Sequence, residues 1–298
     1  MTANDDETLR LLCMGDNHGD VTSLERVVDG TDGEEFDFVI HVGDITNAWF
    51  DGVDEGREQL EAITPQFEAL NERGELLYIW GNRDGAIGPE RPFQDYDLPG
   101  TFIPEDDVIT VAGETFTQDV ELVEDDTILV THYWYPELLD HFAGKAYFSG
   151  HIHTGRYKNK ALNTAFLYRT ADHGADALLG AYFVVEIAPD GAWKIDFRNI
   201  GKVRKGICPR HQALGVQFVP DYWRKDCQFC YDEDEFYSEV ARSALYGLGT
   251  VLEEADVEEV VEFAASSYGA TPPSFESKLR GFLDDRLADK QSDAGRSD

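Results

Sequence analysis

Over the first two hundred residues, short apolar runs closed by Gly, Asp or His alternate with polar and helix-patterned stretches. That is the layout of a layered α/β or α+β fold. Leu9 to Met14 reads as a strand, Thr22 to Val28 as the start of a helix, and Phe36 to Val42 as a second strand. Glu55 to Arg73 has amphipathic helical spacing, kinked or restarted at Pro65, and leads into a strand at Leu76 to Trp80. Asp107 to Val111, Thr127 to Thr131, Ala146 to Ser149, Ala161 to Arg169 and Ala181 to Ile187 read as further strands. Fewer helices separate them, which predicts a more antiparallel second half. Near Gly201 the pattern gives way to a basic connector, a cysteine cluster and an acidic stretch. Val257, Val260, Val261 and Ala264 then restore helical spacing, and Pro272 and Pro273 precede a last helix near Glu276 to Leu287. The expected organisation is a flexible N-terminus at 1–8, a main domain at 9–204, a cysteine segment at 205–233, a helical extension at 234–290 and a disordered tail at 291–298.

Composition adds a constraint on surfaces. The 298 residues include 25 Lys plus Arg against 59 Asp plus Glu, a formal charge of −34. Such a surface repels nucleic-acid backbones and anionic membranes, although a local cationic or metal-bearing cleft can still capture phosphate. With 42% hydrophobic and 12% aromatic residues the chain has the means to bury a core. Only 9 of its basic residues are Lys and 16 are Arg. This Lys-poor, acid-rich balance resembles that of halophile proteins, in which molar salt shrinks the screening length to about 3 Å. No apolar run is long enough to cross a membrane, and the acidic, polar start is unlike a signal peptide, so the expectation is a cytoplasmic protein.

Five segments place metal-ligand side chains just after predicted strands: Gly15-Asp16-Asn17-His18, Gly43-Asp44, Gly81-Asn82-Arg83-Asp84, Thr131-His132 and Gly150-His151-Ile152-His153. Singly each is weak, since a Gly-Asp pair is commonly a turn. Jointly and in this order they resemble the calcineurin-like metallophosphoesterase superfamily, whose pattern is D-x-H, GD, GN, a lone His and GHxH. The resemblance implies a four-layer αββα sandwich and an enzyme, a metal-dependent phosphoesterase with two divalent cations on the loops at one sheet edge. Manganese is the family's expectation, and iron or zinc would also suit these ligands. By the resemblance, Asp16, His18, Asp44 and His153 hold one ion and Asp44, Asn82, His132 and His151 the other, with Asp44 as the bridge. In GHxH, alternate residues of an extended segment would face one side, so that His151 and His153 both reach the metals while Ile152 turns into the core.

The implied chemistry is attack on phosphorus by a hydroxide bridging the two ions, with Asp44, Asn82, Arg83 and His132 at the reacting centre. Relatives often carry His where Arg83 stands. Arginine keeps its proton, so Arg83 suits phosphate binding and not general-acid catalysis; a salt bridge to Asp84 or Asp20 is the alternative. Asp20 and Asp84 read as carboxylates orienting ligands or as cap and turn residues. His41 reads as structural and His173 as a loop residue. Trp49, Tyr133, Trp134 and Tyr135 form either an aromatic wall beside the site, with Tyr133 contacting substrate, or core packing.

Cys208-Pro209-Arg210-His211 and, after fifteen intervening residues, Cys227-Gln228-Phe229-Cys230 have the spacing of two knuckles closing on one structural zinc, with a redox C-x2-C pair or ordinary packing as the alternatives. The surrounding Lys and Arg make this the most basic stretch, either a nucleic-acid or ribosome contact or charge compensation. Cys13 reads as a small buried hydrophobe. Two functions compete: hydrolysis of a small phosphomonoester or phosphodiester, nucleotide-type favoured, or a phosphoesterase scaffold that binds RNA or a protein complex through its zinc knuckle and helical extension.

Overall fold

The computed structural model describes residues 8–85, 92–93, 95–135, 138, 142–171, 176–208, 215–222, 237–238, 240–242, 244–245, 248–252, 255–267 and 274–294, with side chains to residue 288. The chain opens with β1 (Leu9–Met14), α1 (Val21–Gly30), β2 (Phe38–His41), the short α2 (Ala48–Asp51), α3 (Val53–Asn71) and β3 (Glu75–Tyr78). Next come β4 (Thr101–Phe102), β5 (Val108–Val111), β6 (Glu114–Thr117), β7 (Thr127–Thr131), β8 (Ala146–Ser149), β9 (Gly155–Lys158) and β10 (Ala161–Asn163). The sequence continues with β11 (Tyr168–Arg169), β12 (Leu178–Leu179), β13 (Ala181–Ile187), β14 (Trp193–Asn199), β15 (Val203–Gly206) and β16 (Val216–Pro220), then α4 (Val257–Ser267) and α5 (Phe275–Ala294).

Among the described residues the strands form a six-stranded sheet, β14-β13-β1-β2-β3-β4, and an eight-stranded sheet, β15-β16-β9-β10-β8-β7-β6-β5, beside the small pair β11-β12. Strand β1 explains the layering. Its period of two sends Leu11 and Cys13 into the core between the sheets, with Phe148 and Ile128 of the second sheet. Leu12 and Met14 point the other way, against Leu24 and Val27 of α1 and Leu60, Ile63 and Phe67 of α3. Both faces of β1 are therefore apolar, as a covered parallel strand requires. The second sheet repeats the scheme: Ile128 and Val130 of β7 face inward, while Leu129, Tyr147 and Ala161 face an outer layer made by Tyr237, Val240, Val260, Val261, Phe275 and Leu279. The layers thus run helix, sheet, sheet, helix.

Asp20 caps α1, its carboxylate accepting the Ser23 N–H at 2.6 Å. Helix α3 contains Pro65 as a single element, with no restart there. The second half is more antiparallel than the first, as its sequence suggests: β1, β2, β3 and β4 are successive parallel neighbours, whereas β5-β6, β9-β10, β16-β9, β15-β16, β11-β12 and β13-β14 are antiparallel and stand beside one parallel run, β6, β7, β8 and β10. The run Ala161 to Arg169 is not one strand. It leaves β10 at Asn163, turns through Ala165 at φ 62°, and re-enters as β11 in the small sheet. Strand β16 lies inside the 205–233 segment and pairs with β9, so the sheet extends past residue 204. Helix α5 continues to Ala294, into the stretch 291–298. His173, His211, Cys227, Cys230 and residues 1–7 and 295–298 lie outside the described residues; Cys208 is described, buried in the cluster shared by the second sheet and the C-terminal helices. Among the described residues no helix is long and apolar enough to cross a membrane.

Candidate metal centre

Strands β1, β2 and β3 are parallel, so the segments leaving their C-terminal ends reach one edge of the first sheet. They carry Asp16 and His18, Asp44, and Asn82. Parallel β7 and β8 bring His132, His151 and His153 to the same edge from the second sheet. Backbone hydrogen bonds lock the loops together: Asp16 N–H donates to Gly43 O at 2.9 Å, His18 N–H to Asp44 O at 3.0 Å, and Gly150 N–H to His132 O at 3.1 Å. Leu167 and Tyr168 N–H groups, at 2.9 and 3.0 Å from Gly15 O and Asp16 O, tie in the turn after β10.

Two donor groups result. The ligand atoms of Asp16, His18, Asp44 and His153 lie within 4.8 Å of one another, and those of Asp44, His132 and His151 do the same, so Asp44 belongs to both. His18 Nε2 and His153 Nε2 are 3.1 Å apart, and His153 Nε2 is 3.3 Å from Asp16 Oδ1. Asn82 Oδ1 lies 2.8 Å from His132 Nε2 and 2.9 Å from His151 Nδ1, which completes the second group. His132 Nδ1 sits 3.0 Å from the Val42 carbonyl, a partner that fixes Nδ1–H and leaves Nε2 facing Asp44 at 3.3 Å.

The backbone is strained where the donors are. Asp16, His18, Asp44, His151 and His153 all adopt left-handed conformations, with φ of 54°, 48°, 52°, 74° and 52°. Non-glycine residues rarely do so, and each costs of order 1–3 kcal/mol in sparsely populated regions. The extended GHxH geometry expected from the sequence is therefore replaced: two left-handed turns, not a pleat, bring His151 and His153 to the side of the two donor groups, and Ile152 packs toward the C-terminal helices. Neighbouring glycines make room. A Cβ on Gly81 would stand 2.3 Å from Asp44 Oδ1, and one on Gly150 2.4 Å from Asp16 Oδ2.

Burial would raise the Asp44 carboxyl, but the His132 charge and hydrogen bond, with His18 and the Arg83 N–H, hold it well below the usual carboxylate range. Burial opposes charge on His132, yet Asp44 outweighs it and raises the imidazole to about 9. Burial pushes Asp16 well up, against His132 and with Asp44 adding to the rise. Burial, with His132, lowers His151 to about 3; Asp44 opposes, while Arg242 and Arg83 add to the fall. These are buried carboxylates and imidazoles crowded together, the arrangement in which a cation displaces protons and relieves repulsion. The donor set, neutral nitrogens plus two carboxylates and an amide oxygen, fits a pair of divalent ions sharing Asp44.

Residues 9–168 match the calcineurin-like phosphoesterase superfamily domain. The chain belongs to that superfamily. Among solved structures, this chain is similar to a novel archaeal phosphodiesterase, at 14% identity over 63% of this chain and 99% of that one, with a TM-score of 0.38. It is also similar to Yfce, a phosphoesterase from E. coli, at 13% identity over 64% and 100% of the chains and TM-score 0.32. A metallophosphoesterase from Sphaerobacter thermophilus matches at 13% identity over 87% and 100%, TM-score 0.34. No curated protein matches the chain.

Around the two donor groups the remaining expected residues separate. Arg83 donates its N–H to Asp44 Oδ1 at 2.7 Å and a guanidinium N–H to Asn47 Oδ1 at 3.1 Å, with Phe50 stacked 4.0 Å away. Asp84 accepts from the N–H groups of Ile45, Thr46 and Gly81 and from the Thr46 hydroxyl, at 2.6 to 3.1 Å, and so joins the Asp44 loop to the Asn82 loop. Burial, then Asp44, raises Asp84 to about 7. His41 is buried, 2.9 Å from Asn17 Oδ1, and burial holds it at about 3. Tyr133 stands edge-on to His132 and His151 at 5.5 and 4.7 Å between ring centres. Trp134 and Tyr135 do not join a wall: Trp134 is buried beneath Arg156, and Tyr135 packs on the outer helical cluster. The exposed aromatics here are Trp49 and Phe50. Asn47, Phe50 and Arg242 carried no motif; the Trp49-Phe50 pair just beyond Gly43-Asp44 was the signal available.

Proposed function

We propose that this chain is a dinuclear metal-dependent phosphoesterase acting on small phosphomonoesters or phosphodiesters. The observation that carries this reading is the carboxylate of Asp44 standing in both donor groups at once. One ion would be held by Asp16, His18, Asp44 and His153, the other by Asp44, Asn82, His132 and His151. Manganese is the expected metal, with iron or zinc also compatible with these donors. Bound there, the pair of cations lowers the pKa of water and neutralises charge on the phosphoryl oxygens.

The chain's own groups supply orientation. Val42 O fixes the His132 tautomer, and Asp84 holds the Asp44 and Asn82 loops in register. Arg83, steadied by Asn47 and Phe50, binds a phosphate oxygen; Tyr133 lines the approach. An arginine cannot hand a proton to a leaving group at working pH, so esters with good leaving groups are favoured. We also propose a structural zinc held by Cys208, His211, Cys227 and Cys230, supported by the C-x2-H and C-x2-C spacing.

The test is hydrolysis of p-nitrophenyl phosphate and bis-p-nitrophenyl phosphate in molar salt with Mn2+. Turnover is expected, and it should be lost in Asp44→Asn and His132→Ala proteins that keep the native circular dichroism. Elemental analysis should find two catalytic metals and one zinc per chain. Activity untouched by both substitutions sinks the assignment.

A further inference from the structure

Two large aromatic side chains stand uncovered beside the phosphate-binding arginine. Trp49 is 55% and Phe50 59% exposed, on the short helix α2 that follows Asp44. Their backbone is held firmly. Trp49 N–H donates to Arg83 O at 2.8 Å, Asn47 N–H to Gln59 Oε1 at 2.8 Å, and Asn47 Nδ2 to Asp51 Oδ2 at 3.0 Å. Asn47 and the Phe50 ring, which lies 4.0 Å from the guanidinium carbon, then fix Arg83. Two neighbouring loops therefore bring a fixed cation, one residue from metal ligand Asn82, next to a short helix that carries two exposed flat rings. Large, rigid aromatic surface set next to a group that grips an anion is an economical way to hold an organic ring attached to that anion.

The charge around α2 narrows the ring's character. Asp51, Asp54 and Glu55 lie on or next to the turn, and no Lys or Arg occurs between Arg26 and Arg57. A second anionic group would be repelled there, whereas an uncharged planar group would not.

We propose that Trp49 and Phe50 form a stacking platform for the nucleobase of a nucleoside phosphoester whose phosphate is held at Arg83 and the metal centre. This rests on the phosphoesterase reading above and specifies its substrate class. Trp49 and Phe50 are binding residues, and Phe50 is in addition a positioning residue for Arg83.

Two diesters with one leaving group separate the platform from the chemistry: the p-nitrophenyl ester of thymidine 5′-phosphate and p-nitrophenyl methyl phosphate, given to the Mn2+-loaded full chain in molar salt. The nucleoside ester should have the lower KM. Because base stacking on an aromatic is worth roughly 5- to 100-fold in affinity, Trp49→Ala should erase most of that preference. Phe50→Leu, which keeps an apolar side chain, should also erase it and additionally lower kcat for both esters by loosening Arg83. Equal KM values in the unaltered protein, or a preference that survives both substitutions, overturns the proposal. If neither ester is hydrolysed, the catalytic reading fails and the platform is judged by binding. Thymidine 5′-phosphate should then quench the fluorescence of Trp49, identified by its loss in Trp49→Phe, and ribose 5-phosphate should not. Equal responses to the two ligands reject the platform.

Discussion

The two outer helical layers cover equivalent faces of the two sheets but reach them by different routes. Helices α1 and α3 are threaded between β1, β2 and β3, so each connection that builds the first layer also delivers a ligand loop. The second layer is built by described residues between Tyr237 and Leu283, far beyond the last candidate metal donor at His153. It still reaches the site: Ile152 and Tyr135, near the candidate donors His151 and His132, pack against it, and the charge of Arg242 helps depress His151. Sequence distance from the motifs is thus a poor guide to which residues support the centre. A chain cut after β16 would leave Leu129, Tyr147 and Ala161 without their cover, an apolar face no stable sandwich exposes.

If both layers are integral, emptying either should cost alike. Phe67→Ala in α3 and Phe275→Ala in α5 each remove a fully buried ring, and each should lower the unfolding free energy by about 3–5 kcal/mol in denaturant melts. A loss below about 1 kcal/mol for Phe275→Ala alone would make the second layer a loosely docked module. The next effect belongs to the first sheet's loops. Asp84→Asn places an amide N–H₂ against buried backbone donors, so Mn2+ affinity measured by calorimetry should fall about 10- to 100-fold and the unfolding free energy should drop by about 1–3 kcal/mol. Unchanged affinity would remove Asp84 from the support of the centre.

The smallest effects are at the rims. Glu34 binds both Arg10 of β1 and Arg198 of β14, and its pKa is lowered from 4.5 to about 2, first by the Arg198 hydrogen bond. A carboxyl whose folded pKa is depressed stabilises above its unfolded pKa, and that contribution disappears as pH falls from about 4.5 toward 2. Glu34→Gln should therefore cost about 0.2–1 kcal/mol at pH 6 and low salt, and nothing near pH 2, in melts compared across pH. The corresponding pair on the second layer, Glu258 with Arg280, is more exposed, and Glu258→Gln should shift the melt less than Glu34→Gln at every pH. The reverse order would contradict the comparison.

Much of this was legible in the residues. Both faces of Leu9–Met14 are apolar, and Thr127–Thr131, Ala146–Ser149 and Ala181–Ile187 were bounded by turn residues, so these central strands stood out. The ligands were legible because Asp, Asn and His recur directly after such strands. Strands Glu114–Thr117 and Val203–Gly206 were not, since short, half-polar peripheral strands carry little periodicity. Neither was the bend of the GHxH segment: left-handed φ at a histidine has no signature in sequence, because tertiary contacts impose it. Phe50 was hidden for the opposite reason, since exposure of an aromatic is visible only once the surface exists.

Both donor groups straddle the sandwich. Asp16, His18, Asp44 and Asn82 leave the first sheet; His132, His151 and His153 leave the second. Ions seated there would act as bolts through the two sheets, and neither socket exists until the sheets have docked. Metal uptake during refolding should then be a late event that times the docking itself. An ion present at a hundredfold over its dissociation constant would add about 2.7 kcal/mol to the grip between the sheets.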